Sequence, residues 1–209
     1  MPPSIAVVKV GGSLYDLPDL GSRLRRLLVE QFADARVVLI PGGGATADVI
    51  CHLDRRHGLG EETSHWLALR ALTLNAHFLA SLLPSACVVG KIEVLRAVWE
   101  KNQLPVLDVH EFARDDEERP DRLPHGWAVT SDALAARVAV VARARHLLLL
   151  KSTTIPPGMD WKEAGRRGLV DERFAAVLRE APADLQVRAV NLRDAGRSPA
   201  PDAPAFRSL

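Results

Sequence analysis

Twice within the first fifty residues, a short apolar run stops at a cluster of glycines and gives way to a helical pattern. The first run, residues 4–10, leads through Lys9 and Val10 to Gly11-Gly12-Ser13-Leu14. Leu20–Phe32 follows, with Leu20, Leu24, Leu27, Leu28 and Phe32 on one helical face and arginines opposite. The second run, residues 36–40, stops at Pro41-Gly42-Gly43-Gly44, and residues 45–56 resume the helical spacing at Ala45, Val49, Ile50 and Leu53. Strands this short and this apolar belong to sheets covered on both faces. Parallel strands need a crossover to reach their neighbours, so the repetition predicts an α/β layer. Such layers bind ligands at the carboxyl ends of their strands.

The rest of the chain extends the pattern. After Gly58-Leu59-Gly60, residues 61–83 read as a long helix closed by Pro84, with His65, Leu69, Leu72, Ala76, Leu79 and Leu83 as its buried stripe. Trp66, Arg70, Thr73 and His77 form an amphipathic line beside it. Residues 86–89 and 105–107 are short strands, with a helix over 92–101 between them. The run Asp115-Asp116-Glu117-Glu118-Arg119-Pro120 reads as a solvated loop and a seam between lobes. Beyond it, residues 127–130 lead into Ser131-Asp132-Ala133-Leu134-Ala135-Ala136, a helix start with a hydroxyl and a carboxylate in its first turn. A buried strand at 146–150 ends in Lys151-Ser152. Short helices over 160–168 and 171–180 and a last strand at 186–190 complete the ordered part. From Asp194 onward, the Pro-, Ala- and Arg-rich composition is that of a disordered tail.

Composition excludes several classes. Lys and Arg number 27 against 26 Asp and Glu, so no basic field suits nucleic acid or a membrane surface. No secretory leader is visible, and the longest apolar runs, such as Leu147 to Leu150, are too short to span a bilayer. Cys51 and Cys87 stand far apart without a metal-binding pattern, which suits buried free thiols in a cytoplasmic protein.

Four strand or helix ends carry the candidate chemistry. Lys9 precedes Gly11-Gly12, whose backbone N–H groups can approach an anion with no Cβ in the way. Gly42-Gly43-Gly44 is a second such loop, Asp132 opens a helix, and Lys151 ends a strand. Each has a plainer reading: a tight turn, a helix-start acid, a surface lysine. Together they fall where an α/β sheet presents its ligand-binding groups. Cations, backbone donors and an organising carboxylate are what phosphoryl transfer requires. His65 and Trp66 open the long helix, where acceptor contact, core packing and a helix-start contact are all open. His52, His57 and His125 read as solvated, and no histidine has metal-ligand spacing.

The blocks KVGGSL, IPGGGATAD, VTSDALAARVA and LLLLKS, in this order over residues 4–191, resemble the amino acid kinase family. The intervening HGLGEETSHWLALRAL resembles its short (aminomethyl)furanmethyl phosphate kinase branch. The resemblance implies a three-layer α/β/α sandwich around an open, mainly parallel, eight-stranded sheet. It implies one domain over 1–193, with an acceptor half at about 1–114 and a nucleotide half at about 121–193. It further implies ATP with Mg²⁺ held through the nucleotide phosphates, a small-molecule phosphate acceptor and a homo-oligomer. Carried over by motif, Lys9, Asp132 and Lys151 are the expected catalytic residues, and Gly11, Gly12, Ser13 and Ser152 are expected at the nucleotide phosphates. Gly42, Gly43, Gly44, Asp48, His65, Thr130 and Ser131 are expected on the acceptor side.

The sequence also departs from the family. Members that phosphorylate carboxylates carry a second lysine after a late Gly-Met/Leu turn, whereas Gly168-Leu169-Val170 is followed here by Asp171. Lys151 or Arg173 is left to take that charge. The departure favours a phosphate acceptor, of the aminomethylfuran phosphate type used in methanofuran synthesis, giving a diphosphate. The histidine that isopentenyl phosphate kinases place after the triple glycine is absent, and Asp48 lies in that stretch. Pro156-Pro157 stands where a DG turn is usual. These departures keep a non-catalytic binding or storage protein open as the alternative. A dinucleotide enzyme is disfavoured by the lack of GxGxxG.

Overall fold

In the computed structural model, which describes residues 3–194, every strand of the sheet runs parallel to its neighbours. The chain runs β1 (Ile5–Val10), α1 (Leu20–Phe32), β2 (Arg36–Pro41), α2 (Gly44–His57), α3 (Glu61–Ser81), β3 (Ala86–Val89), α4 (Leu95–Glu100) and β4 (Leu104–Leu107). It continues with α5 (Val109–Asp116), α6 (Ser131–Val141), β5 (His146–Lys151), α7 (Trp161–Arg166), α8 (Phe174–Leu178) and β6 (Gln186–Asn191). The strand order is β3-β4-β2-β1-β5-β6. Among the described residues the sheet therefore has six strands, fewer than the eight that the family resemblance implies. From β1 the chain moves to β2 on one side, and from β5 to β6 on the other. The β1/β5 boundary is thus the topological switch point, where a crevice opens outside the carboxyl ends of the strands.

Strand alternation builds the two covering layers. Val7, Val38, Ile40, Leu147 and Leu149 point to one face, where they pack with α5, α6, α8 and the first half of α3. Ala6, Val8, Val10, Val37, Leu39, Leu148 and Leu150 point to the other face, against α1 and the second half of α3. Each fully buried Leu or Val contributes about 1.5–3 kcal/mol, so a one-residue slip of β1 would forfeit several such terms. That same register fixes which face Lys9 occupies.

Three readings of the sequence need correction. The expected helix at 92–101 divides into a 3₁₀ turn at Ile92–Val94 and the short α4. The acidic run at 115–120 is not wholly solvated, because α5 extends to Asp116 and buries its carboxylate against Arg137. Cys51 and Cys87 are half-buried free thiols rather than fully buried ones. No helix among the described residues is long and apolar enough to cross a membrane. The tail expected from Asp194 lies, beyond that residue, outside the described residues.

Candidate active site

Alternation along β1 and β5 brings two lysines to one place. Lys9 stands in register with Leu149, two residues before Lys151. Both side chains therefore leave the same face, one pleat or about 6–7 Å apart along the sheet. The first turn of α6 lies over that face and supplies Asp132. The Lys9 ammonium is 2.8 Å from Asp132 Oδ1. The two form a close, buried ion pair. Lys151 Nζ donates to Asp132 Oδ2 at 2.7 Å.

This cluster is nearly dry: side-chain exposure is 6% for Lys9, 5% for Asp132 and 14% for Lys151. Burial alone would raise the Asp132 pKa, but the charges of Lys9 and Lys151 outweigh it and hold the carboxyl below its ordinary value. Burial lowers the Lys151 pKa, and the nearby Lys9 ammonium pushes the same way against the pull of Asp132. Two ammonium groups thus face one carboxylate. The site is short of negative charge, and in so dry a setting an anionic ligand is the natural complement.

The two glycine loops meet beside it, backbone on backbone. A Cβ on Gly12 would come within 2.1 Å of Gly44 N, and one on Gly42 within 2.4 Å of Gly12 N. Gly44 has φ +55°, which a side chain would strain. Gly11 N donates to Leu150 O at 2.8 Å, fastening the first loop to β5. Two residues that the sequence reading missed hold the second loop. Tyr15 Oη donates to Gly42 O and accepts from Gly42 N, both at 2.9 Å. Asn75 Nδ2 reaches Gly42 O, Gly43 O and Thr46 Oγ1, each at 2.7 Å. Asn75 was detectable as the polar exception next to the apolar stripe of α3, although nothing in the sequence names its partner. Ser13 Oγ donates to Ser152 Oγ at 2.8 Å, bridging the loops that follow β1 and β5.

The start of α6 is braced from a distance. Thr130 is its N-cap, with Oγ1 accepting from Asp132 N at 3.5 Å, and Ser131 is buried beside it. Asp171 Oδ2 accepts from Thr130 N, Thr130 Oγ1 and Ala133 N at 3.1, 2.8 and 2.8 Å. Of the two candidates for the missing second lysine's charge, Lys151 joins Asp132 and Arg173 is exposed.

Not every expected site residue joins the lysine cluster. Asp48 is exposed on α2. His65 is buried at 7% exposure and linked to the loop that leads into α6, with its Nδ1 accepting from Gly126 N at 3.5 Å. Its ring stacks on His125 at 4.8 Å between centroids. His125 is not solvated as expected, because Glu62 and Glu117 bind its two ring nitrogens. Burial would lower the His125 pKa, but those two carboxylates outweigh it and raise it. Burial, aided by the charge on His125, lowers the His65 pKa to about 4.

The donor set favours anions over metal ions. Among the described residues no group of His, Cys, Asp and Glu is placed to hold a metal, and Asp132 is already engaged by two ammonium groups.

Comparison with known proteins gives the family and the fold. The chain is 27% identical over 144 residues to the [5-(aminomethyl)furan-3-yl]methyl phosphate kinase of Methanocaldococcus jannaschii, covering 68% of this chain and 63% of that protein. The match thus spans less than two thirds of that relative's length. Uridylate kinase from Archaeoglobus fulgidus shares the fold at TM-score 0.63 and 17% identity, covering 90% of each chain. UMP kinase from Bacillus anthracis does so at TM-score 0.62 and 15% identity, covering 94% of this chain and 90% of that one. The family model for the amino acid kinase family matches residues 4–154. The chain belongs to the amino acid kinase family.

Proposed function

We propose that this chain is an ATP- and Mg²⁺-dependent phosphotransferase that passes the γ-phosphoryl group to a phosphate-monoester acceptor. The observation that carries the reading is the buried Lys9–Asp132–Lys151 cluster, with its excess positive charge, at the switch point between two facing glycine loops. A phosphate oxygen of the acceptor attacks the γ-phosphorus, the bond from phosphorus to the β–γ bridging oxygen breaks, and ADP and a diphosphate leave. A phosphate monoester is already ionised near neutral pH, so the attack needs no general base. Asp132, held ionised by two lysines, suits the task of placing them and not that of taking a proton. Lys9, Lys151 and the N–H groups of Gly12, Gly43 and Gly44 would face the charge on the transferring group, while the Gly11 and Gly42 N–H groups hold the loops in place. Mg²⁺, carried by the nucleotide phosphates, would neutralise part of that charge.

In this reading the acceptor half is about 1–114 and the nucleotide half about 121–193. Ser13 and Ser152 serve the nucleotide phosphates, while Asp48, His65, Thr130 and Ser131 serve the acceptor. The name of the M. jannaschii relative supports an acceptor of the aminomethylfuran phosphate type, in the making of a methanofuran-like cofactor. Asp171 at the place of a second lysine also disfavours an acyl-phosphate product. The protein would act in the cytoplasm as a homo-oligomer.

Lys9→Met tests the site without unbalancing it, because the neutral Asp132–Lys151 pair remains. ADP release with phosphate-monoester acceptors should fall by about 10²–10³-fold or more while the thermal midpoint holds. Turnover close to wild type would remove Lys9 from the site. Binding of Mg-ATP without ADP release from any phosphate or carboxylate acceptor would favour the alternative, a binding or storage protein on this fold.

A further inference from the structure

Asp171 stands in a stretch where other family members place a lysine, yet its contacts reach back 38 residues or more to the helix that carries Asp132. While Oδ2 takes Thr130 N, Thr130 Oγ1 and Ala133 N, Oδ1 takes Arg173 N at 3.1 Å and Phe174 N at 2.8 Å. One carboxylate therefore satisfies first-turn N–H groups of two helices, which otherwise have no intrahelical partner. Its own position is fixed on both sides, because Val170 and Phe174 are 4% and 0% exposed in the core shared with α6.

We propose that Asp171 is a positioning residue: it locks the first turn of α6 to the segment before α8 and thereby sets the Asp132 carboxylate between Lys9 and Lys151. The proposal rests on the phosphotransferase reading above. The geometry gives Asp132 two constraints. Its carboxylate is held by the lysines at 2.8 and 2.7 Å, and its backbone lies between Thr130 and Ala133, both tied to Asp171 Oδ2. If the second tie is lost, the turn can shift and carry the carboxylate with it. Asp171 also acts on the site directly, since its charge favours the protonated form of Lys151.

The test compares Asp171→Asn with the full-length wild type, and Asp171→Ser serves as a second variant if the first folds poorly. Asparagine keeps the shape but turns one oxygen into a donor that faces N–H groups. Three readouts are taken on folded protein: kcat and KM, thermal midpoint, and amide exchange over Thr130–Ala133 with the β1 and β5 amides as internal reference. The expected result is faster exchange at Thr130–Ala133, as at Arg173 and Phe174, against unchanged β1 and β5 amides, and a kcat lower by about 10²-fold, with KM for ATP little changed. A loss of thermal stability with kcat per folded molecule unchanged, or unchanged exchange at Thr130–Ala133, would overturn the proposal. If the wild type turns over no acceptor, the phosphotransferase reading fails by itself. Amide exchange and the ¹³C shift of the Asp132 carboxyl then decide the role of Asp171: movement of both in Asp171→Asn supports it, and constancy of either overturns it.

Discussion

His65 lies in an environment that its sequence position suggests only in part. It opens the buried stripe of α3 beneath His125, with one ring nitrogen toward the backbone of Gly126. Burial first, and the positive charge of His125 second, hold its folded pKa at about 4, against about 6.5 in an unfolded chain. Between those values the unfolded chain binds the extra proton, so the stability that neutral His65 contributes is present above pH 6.5 or so and is lost as pH falls toward 4. Allowing for its partial solvent access, the effect is about 1–2 kcal/mol. His65→Asn, whose carboxamide oxygen can still accept from Gly126, should flatten the wild-type loss of stability between about pH 6.5 and 4, as measured by urea unfolding across that range. A variant that loses stability with falling pH as steeply as wild type would show that His65 does not titrate this way. The same residue marks a limit of sequence reading. Its burial follows from the stripe, but its partner His125 lies 60 positions on, beyond any local pattern.

At the scale of elements, the glycine loops were legible because their requirement is local. Gly12, Gly42 and Gly44 are needed where a backbone passes within atomic contact of another backbone, and the glycine runs announce that in the sequence. The short, nearly all-apolar run likewise announced β1, and the helical stripe announced α1 over Leu20–Phe32. What braces those loops was not legible, because no local pattern names a side chain's distant partner. Asn75 is 3% exposed on α3, and its single amide nitrogen ties Gly42, Gly43 and Thr46 together. Replacing it with leucine would leave two buried or half-buried carbonyls without that donor, at a cost of about 1–3 kcal/mol. If the loop shapes the acceptor side, Asn75→Leu should raise KM for the phosphate acceptor more than KM for ATP. Equal changes in both would mean that Asn75 supports the fold without shaping the acceptor loop. The helix α5 was missed for a related reason. Its N-cap, Asp108, takes His110 N and Thr73 Oγ1, whereas the acidic run that ends it reads as solvent-facing.

At the scale of the whole molecule, strand order is the least legible property, because no residue states which strand lies beside β1. The β1/β5 switch point follows from crossovers of long sequence separation, and it is what makes Lys9 and Lys151 neighbours. The acidic run at 115–120 is fastened to the core at Asp116. Arg137, 1% exposed on α6, pairs with both oxygens of Asp116 at 2.8 and 2.9 Å and with both oxygens of Asp121 at 2.6 and 2.9 Å. The two partners are unequal. Asp116 is 4% exposed, whereas the Asp121 side chain is half-exposed; hydrogen bonds from Arg137 lower its pKa to about 2, but solvent screens that pair and it contributes little stability. Arg137→Met would leave the buried Asp116 carboxylate with the half-exposed Arg119, 3.2 Å from its Oδ1, in place of its buried partner, at a cost of about 3–5 kcal/mol or somewhat less. The double variant Arg137→Met with Asp116→Leu removes both buried charges, so it should recover most of that loss, whereas Arg137→Met with Asp121→Ala should recover almost none. Urea unfolding of the wild type, the three single variants and both doubles measures this. Recovery in the Asp121 double, or its absence in the Asp116 double, would place the lock on the exposed carboxylate instead of the buried one.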